Sequence, residues 1–240
     1  MRRFFAESIP QPGETAALSP AESHHALNVL RLEQGAALQL TDGRGVYATA
    51  TIIDAGGPRR NTATCRVETR NCTQPPSTRM RLFIAPPKGK LMALVVRQAT
   101  ELGVWRVTPV LTQRGVAKHD SKTRHDHWLR EAVTALKQSG NVFLPAIQAP
   151  VVFDDALAAA STTGWYGAVP ENRLAAENPC SLPTGDCALW IGPEGGFTPE
   201  EKLALQEHGY KPLVIGRWIL KVETALPALL GYLMGLPSND

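Results

Sequence analysis

The chain of 240 residues contains no apolar run near the roughly 18 residues that a membrane-spanning helix needs, which argues against an integral membrane protein. Its start, Met1-Arg2-Arg3-Phe4-Phe5-Ala6-Glu7, has two arginines but no apolar stretch behind them, unlike a secretory signal. Cysteine is scarce: Cys65, Cys72, Cys180 and Cys187 never form a C-x-x-C pair. Neither a zinc ribbon, a thioredoxin-type motif nor a disulfide scaffold fits that spacing. Internal repeats and low-complexity tracts are missing as well. With 43% hydrophobic and 20% charged residues the chain can bury a core. The expectation is a soluble, cytoplasmic, metal-free protein of one large or two unequal domains.

What the sequence does have is an uneven distribution of charge. The whole chain carries only +3, yet residues 1–74 carry +1, residues 75–150 carry +8 and residues 151–240 carry −6. His119, His125 and His127 add to the basic block. A segment at +8 suits a polyanion such as nucleic acid, because phosphate neutralisation dominates affinity there. A solvated helix face has the same composition, and charge alone does not choose between them.

The first 75 residues read as β-rich. Strand alternation runs through Val46 to Ile53 and again through Thr62 to Thr69, and Asp42-Gly43-Arg44-Gly45 reads as a tight hairpin turn. A short helix is expected over Ser23 to Leu30. Cys72-Thr73-Gln74-Pro75-Pro76-Ser77 is proline-rich without a sizeable apolar residue, so residues 73–78 are expected to link a domain at 1–72 to one at 79–240.

Beyond the linker, strands alternate with helices. Met80 to Ala85, Val104 to Leu111, Gly164 to Val169, Cys187 to Ile191 and Leu213 to Ile215 read as strands. Helical spacing covers Leu91 to Leu102 and Leu129 to Leu136, with Gly103 and Gly140 as stops. Thr198-Pro199-Glu200-Glu201 combines a capping box with proline at the first helical position. A last helix is expected from about Thr224 to Gly235, with Pro227 in its first turn. The alternation implies a mostly parallel α/β sheet.

Open α/β sheets bind ligands beyond the carboxyl ends of their strands. Three such ends are unusual here: Val169-Pro170, then Gly192-Pro193-Glu194-Gly195-Gly196-Phe197, then Ile215-Gly216-Arg217-Trp218-Ile219-Leu220-Lys221. The middle one lacks the Gly-Lys-Ser/Thr ending of a phosphate cradle, and no G-x-G-x-x-G follows a strand. Glycines around an acid suit a neutral or cationic ligand, such as a nucleoside with an ammonium or sulfonium group. A tight strand-to-helix turn with a spare glutamate would read the same way.

These residues resemble a known family, the RsmE-type 16S ribosomal RNA uridine-N3 methyltransferases of the SPOUT class. The resemblance rests on Ala26 to Leu32 and Leu40 to Gly45 in front. Further back it rests on Lys88-Gly89 with Met92, Ala99 to Val104, Glu131-Ala132, Gln138-Ser139-Gly140, Ile191 to Phe197, and Gly216 with Ile219 to Ala225. It implies a small PUA-like β-barrel domain for RNA capture, then a parallel-sheet methyltransferase domain closed by a deep trefoil knot, a rare exception to unknotted folding. It also implies a homodimer acting on 16S ribosomal RNA or the small ribosomal subunit, without a membrane or a metal.

By the same resemblance the cofactor is S-adenosylmethionine, held by Val169, Pro170, Gly192, Pro193, Glu194, Gly195, Gly196, Ile215, Gly216, Trp218, Ile219 and Leu220. The uridine N3 proton must be lost before its lone pair attacks, so a base or a cation stabilising the uracil anion is needed. Lys221 is the candidate cation and Glu223 the candidate orienting or proton-accepting carboxylate; Thr224 reads as the cap of the last helix. RNA-binding candidates are Arg3, His25, Arg31, Arg44, Lys88, Arg97, Arg114 and Arg124, with Arg2, Lys118, Lys122 and Arg130 behind them. The chain departs from the family's pattern at Lys221, Asn141, Gln98 and Trp218, where cations are usual, arginine among them at 221. Those departures leave open an RNA-binding protein of this fold with weak or lost catalysis, or a methyltransferase of the class aimed at another RNA.

Overall fold

The computed structural model describes residues 1–56, 62–89, 91–115, 122–160, 163–170 and 178–237, with side chains from His125 onward in the helix that begins at Lys122. The described chain divides into two compact units: residues 1–75 with 136–144, and residues 76–135 with 145–240.

The first unit is built on one five-stranded sheet. Its strands are β1 (Arg2–Phe5), β2 (Thr15–Ala17), β3 (Ala37–Thr41), β4 (Val46–Asp54) and β5 (Thr64–Cys72), in the order β1-β3-β4-β5-β2. Only β1 and β3 run parallel. Alternate residues of these strands, among them Phe4, Leu38, Leu40, Ala48, Ala50, Ile52, Cys65 and Val67, fill a single core, as a period of two requires. The short helix starts earlier than its apolar pattern predicts: α1 is Pro20–His24, followed by a π-helical turn at His25–Val29. The Ser19 hydroxyl accepts the Glu22 N–H at 3.2 Å and Pro20 takes the first helical position, so the cap and not the apolar stripe sets the start. Glu22 then meets Lys137 at 2.5 Å, tying residues far apart in sequence into this unit.

In the second unit every strand pairing is parallel. The strands are β6 (Thr78–Ile84), β7 (Arg106–Leu111), β8 (Ala146–Ile147), β9 (Val151–Val152), β10 (Gly164–Gly167), β11 (Gly185–Ile191) and β12 (Lys211–Leu213). Their order is β12-β10-β11-β6-β7-β8, with β9 beside β7. Helices α2 (Leu91–Glu101), α3 (Lys122–Ser139), α4 (Phe153–Ala158), α5 (Pro199–Glu207) and α6 (Val222–Met234) alternate with them; α3 ends in the segment 136–144 that belongs to the first unit. Trp190 of β11 is 1% exposed, stacks on Phe83 with ring centroids 4.2 Å apart, and meets the edge of Tyr210 at 5.6 Å.

Among the boundaries in this unit that differ from the sequence reading, two have a visible local reason. The pattern predicts a strand at Leu213 to Ile215, but β12 ends at Leu213. The Asn178 side chain takes both backbone groups of Val214, donating to its oxygen at 2.9 Å and accepting its N–H at 3.3 Å, so Val214 leaves the ladder. The last helix begins at Val222 with Lys221 as its N-cap, which makes Thr224 a third helical residue and not the cap. Pro227 therefore lies beyond the first turn. Having no N–H, it leaves the Glu223 carbonyl without its usual donor, and the Gln98 side-chain amide approaches that oxygen at 3.5 Å.

The capping box at α5 forms as its sequence predicts. The Thr198 hydroxyl accepts the Glu201 N–H at 3.2 Å and Glu201 accepts the Thr198 N–H at 2.8 Å. Glu201, only 4% exposed, also accepts the Gln113 N–H at 2.9 Å, which joins the exit of β7 to the entry of α5. Truncation would strand the buried Thr198 N–H, at about 1–3 kcal/mol, and would remove the partner of the part-buried Gln113 N–H at a smaller cost. Glu201→Ala is expected to lower stability by about 3 kcal/mol in urea denaturation, and Glu201→Gln, which keeps an acceptor, by about 1 kcal/mol. An Ala variant as stable as the parent would refute this role.

Candidate functional site

Strands β10, β11 and β12 are sheet neighbours and parallel, so all three leave the sheet on the same edge. Beyond that edge lies a recess of about 270 Å³. Its walls are Gly167 to Pro170 after β10, Ile191 to Glu194 with Gly196 and Phe197 after β11, and Ile215 with Trp218 to Val222 after β12; Lys202, Ala225 and Leu229 complete it. The lining is mostly aliphatic, with Glu194, Lys202 and Lys221 as its charged residues.

The loop after β11 is fastened from outside. Glu194 accepts the Lys88 N–H at 3.1 Å, and Arg114 donates to the Gly195 carbonyl at 2.9 Å. Burial by itself would raise the Glu194 carboxyl, but the N–H groups of Glu194 and Lys88 and the Lys88 charge outweigh it and hold the group below the ordinary carboxylate value. The carboxylate is therefore ionised across the neutral range. Gly196 has φ +68°, and a Cβ there would meet nothing within 4 Å, so the glycine leaves the wall thin where it faces open space.

Of the residues predicted to hold a cofactor, Val169, Pro170, Gly192, Pro193, Glu194, Gly196, Ile215, Trp218, Ile219 and Leu220 line this recess, and so does Lys221. Gly195 and Gly216 do not; Gly195 instead offers its carbonyl to Arg114. Glu223 sits in the first turn of α6, half-buried, and is not part of the lining. The predicted site residues left out Gly167, Ala168, Ile191, Phe197 and Val222 from the same three loops, and also Lys202, Ala225 and Leu229. Ala225 follows Glu223-Thr224 directly and Leu229 is one helical turn on, a spacing that could have exposed both; Lys202 carries no such signal.

The cationic candidates divide. In the first unit Arg3 donates to Gln39 at 3.0 Å and to the Lys137 carbonyl at 3.2 Å, while Arg44 reaches the Glu7 carbonyl. His25 packs edge-on to Phe4, and Arg31 is exposed with φ +52°, the one non-glycine residue at positive φ among the described residues. In the second unit Arg97 pairs with Glu131 at 2.6 Å and Arg114 with the glycine loop, while the Lys88 side chain is exposed. Lys118 and the side chains of Lys122 and Arg124 lie outside the described residues.

Comparison with known proteins decides the family. The profile of an RNA methyltransferase domain matches residues 74–234, and that of an RNA methyltransferase PUA domain matches residues 18–60. The chain belongs to the ribosomal RNA small subunit methyltransferase E family. The Synechocystis member is 31% identical over 229 residues, covering 92% of this chain and 73% of its own. The methyltransferase E 2 of Borreliella burgdorferi is 28% identical, covering 89% and 88%. A Legionella pneumophila methyltransferase solved with its bound cofactor SAM (S-adenosylmethionine) superposes with a TM-score of 0.83 at 29% identity, covering 96% and 95%. The family's fold is thus a PUA-like unit followed by a SPOUT-type parallel sheet. No helix among the described residues is long and apolar enough to cross a membrane, and no cluster of three or more His, Cys, Asp or Glu among them is placed to hold a metal.

The glycine-loop clamp has a testable signature. Because the Glu194 carboxyl lies below its ordinary value of about 4.3, the clamp is complete above that pH and is lost as pH falls through the lower folded value. Glu194→Gln removes the charge but keeps an oxygen, and should speed amide exchange at Lys88 by roughly fivefold at neutral pH. Unchanged exchange at Lys88 in the variant would contradict the clamp.

Proposed function

We propose that this chain transfers a methyl group from S-adenosylmethionine to N3 of a uridine in 16S ribosomal RNA. One observation carries the reading: the aliphatic recess at the common edge of β10, β11 and β12, with Lys221 in its wall. Membership in the methyltransferase E family supports the same reading, as does the SAM-bound Legionella relative.

The lining suits this cofactor chemically. Val169, Ile215, Ile219, Leu220 and Leu229 offer apolar surface to an adenosine, and the thin wall at Gly196 admits a group close to the backbone. Glu194 and Lys202 present opposite charges, as the ammonium and carboxylate of a methionine moiety require. Bound there, S-adenosylmethionine supplies a methyl group already activated by its sulfonium. The protein's own task is to position the uridine, exclude water and favour loss of the N3 proton. Lys221 is exposed at the N-cap of α6, where its ammonium can stabilise the uracil anion; its carbonyl accepts the Thr224 and Ala225 N–H groups, which fixes the backbone that carries it. Glu223, two residues on in the first turn of α6, is the proposed orienting or proton-accepting carboxylate.

The proposal extends to the assembly. The front domain, expected at 1–72 and completed in the fold by residues 136–144, captures RNA through Arg3, His25, Arg31 and Arg44; the domain expected at 79–240 carries the reaction, with Lys88, Arg97 and Arg114 as RNA contacts and Arg124, whose side chain lies outside the described residues, as a further candidate. The three loops belong to a trefoil-knotted chain working as a homodimer in the cytoplasm. Trp218 and Ile219, 77% and 71% exposed beside the recess, support a partner surface there.

Incubating the chain with methyl-labelled S-adenosylmethionine and 16S ribosomal RNA or small subunits should give labelled N3-methyluridine; label at another position or none would overturn the reading. Lys221→Ala should cut turnover at least a hundredfold, the scale of losing one charge-stabilising group, with cofactor affinity little changed. Lys202→Met should do the reverse, weakening cofactor binding roughly tenfold in calorimetry. A large loss of cofactor affinity in Lys221→Ala would show that its role is binding.

A further inference from the structure

Two motifs singled out in the sequence have no part in the transfer site, and they meet in the first unit. Gly45 donates to the Val142 carbonyl at 2.9 Å, Leu144 donates to the Gly43 carbonyl at 2.8 Å, and Arg44 and Phe143 form an antiparallel bridge. The turn Asp42 to Gly45 is thereby joined to the segment that follows Gln138-Ser139-Gly140. Only glycine permits so close an approach: a Cβ at Gly45 would lie 2.6 Å from the Thr73 carbonyl oxygen, and one at Gly43 would lie 2.8 Å from Leu144 Cβ.

Beside this junction is a recess of about 310 Å³. Its volume is close to that of the first recess, room for a ligand the size of one nucleotide. Arg3, Gln39, Thr41, Tyr47, Thr73 and Asn141 give it a polar lining, and Arg3 is its sole charged residue among the described residues. The guanidinium is already held by Gln39 and by the carbonyls of Lys137 and Gln138, at 3.2 and 3.4 Å, so it is a fixed fork. Thr41 is 4% exposed, and its hydroxyl has no partner among the described residues. A buried hydroxyl left unpaired is costly, and one in the wall of a polar recess is suited to a ligand.

We propose that this recess is a subsite for one unpaired nucleotide of the RNA, distinct from the uridine that is methylated. Arg3 takes the phosphate, Tyr47 offers an aromatic surface to the base, and the Thr41 hydroxyl supplies a hydrogen bond to its polar edge, with Asn141 in the wall beside them. A single cation with no carboxylate in the lining matches an anionic ligand, and a space this small requires an unstacked base, the usual form in which proteins read single-stranded RNA. The inference rests on the proposed RNA substrate.

The test is fluorescence anisotropy of a labelled oligouridylate with the full chain, run beside calorimetry with S-adenosylmethionine. Asn141→Asp keeps the oxygen that accepts the Phe143 N–H at 3.0 Å and adds a negative charge to the recess. It should weaken RNA binding roughly tenfold, with cofactor affinity unchanged; Tyr47→Ala should weaken it by a similar factor, as for loss of one stacked base. RNA affinity unchanged in Asn141→Asp overturns the subsite and leaves the transfer reaction standing. Free uridine monophosphate binding as tightly as the oligomer overturns it too, since the occupant would then be a free nucleotide. A parent chain that binds cofactor but no RNA overturns both this inference and the substrate on which it rests.

Discussion

Parallel pairing of neighbouring strands is the constraint from which the site follows. Strands β10, β11 and β12 lie side by side in one direction, so the chain must leave all three at the same edge and must turn there without ladder partners. Backbone groups freed in this way need other partners or a ligand. The protein answers with fastenings placed outside the recess. Asn178 occupies Val214, the capping box holds the entry of α5, and Lys88 and Arg114 pin the glycine loop. The inner side of the same loops is left as an aliphatic recess with opposite charges in its wall.

The same economy governs the cations. Composition alone makes residues 75–150 look like a docking surface, yet several of these charges are committed to the chain itself. Arg114 binds a loop carbonyl, Arg97 binds Glu131 and Arg81 pairs with Asp186. An exposed pair such as Arg97 with Glu131 contributes little to stability, about 0–1 kcal/mol. Glu131 is already counted in the net +8, whereas Asp186 lies outside residues 75–150, so its pairing with Arg81 offsets one further charge. Shaped sites, such as the recess beside Arg3, matter correspondingly more.

Legibility in the sequence followed the range of the interaction. Strand β4 shows in the alternation from Val46 to Ile53, and the entry of α5 shows in Thr198 and Glu201, because each is decided within a few residues. The glycine loop was legible for the same reason, and the family resemblance carried the loops around it. Lys202 was not, since only the packing of α5 beside the loops brings it to the recess. The early end of β12 depends on Asn178, 36 residues away, and the tolerance of Pro227 on Gln98, 125 residues from Glu223. Membership of 136–144 in the first unit rests on contacts such as Glu22 with Lys137, which no local pattern announces.

The central claim is that three converging strand ends form the seat of a methyl-donating nucleoside. Crystals grown with S-adenosylmethionine test it most directly. The account predicts density for the whole donor within about 4 Å of Val169, Gly196 and Leu220, with its amino-acid end between Glu194 and Lys202. Density for the donor elsewhere, or a phosphate ester taking its place between these loops, would contradict it.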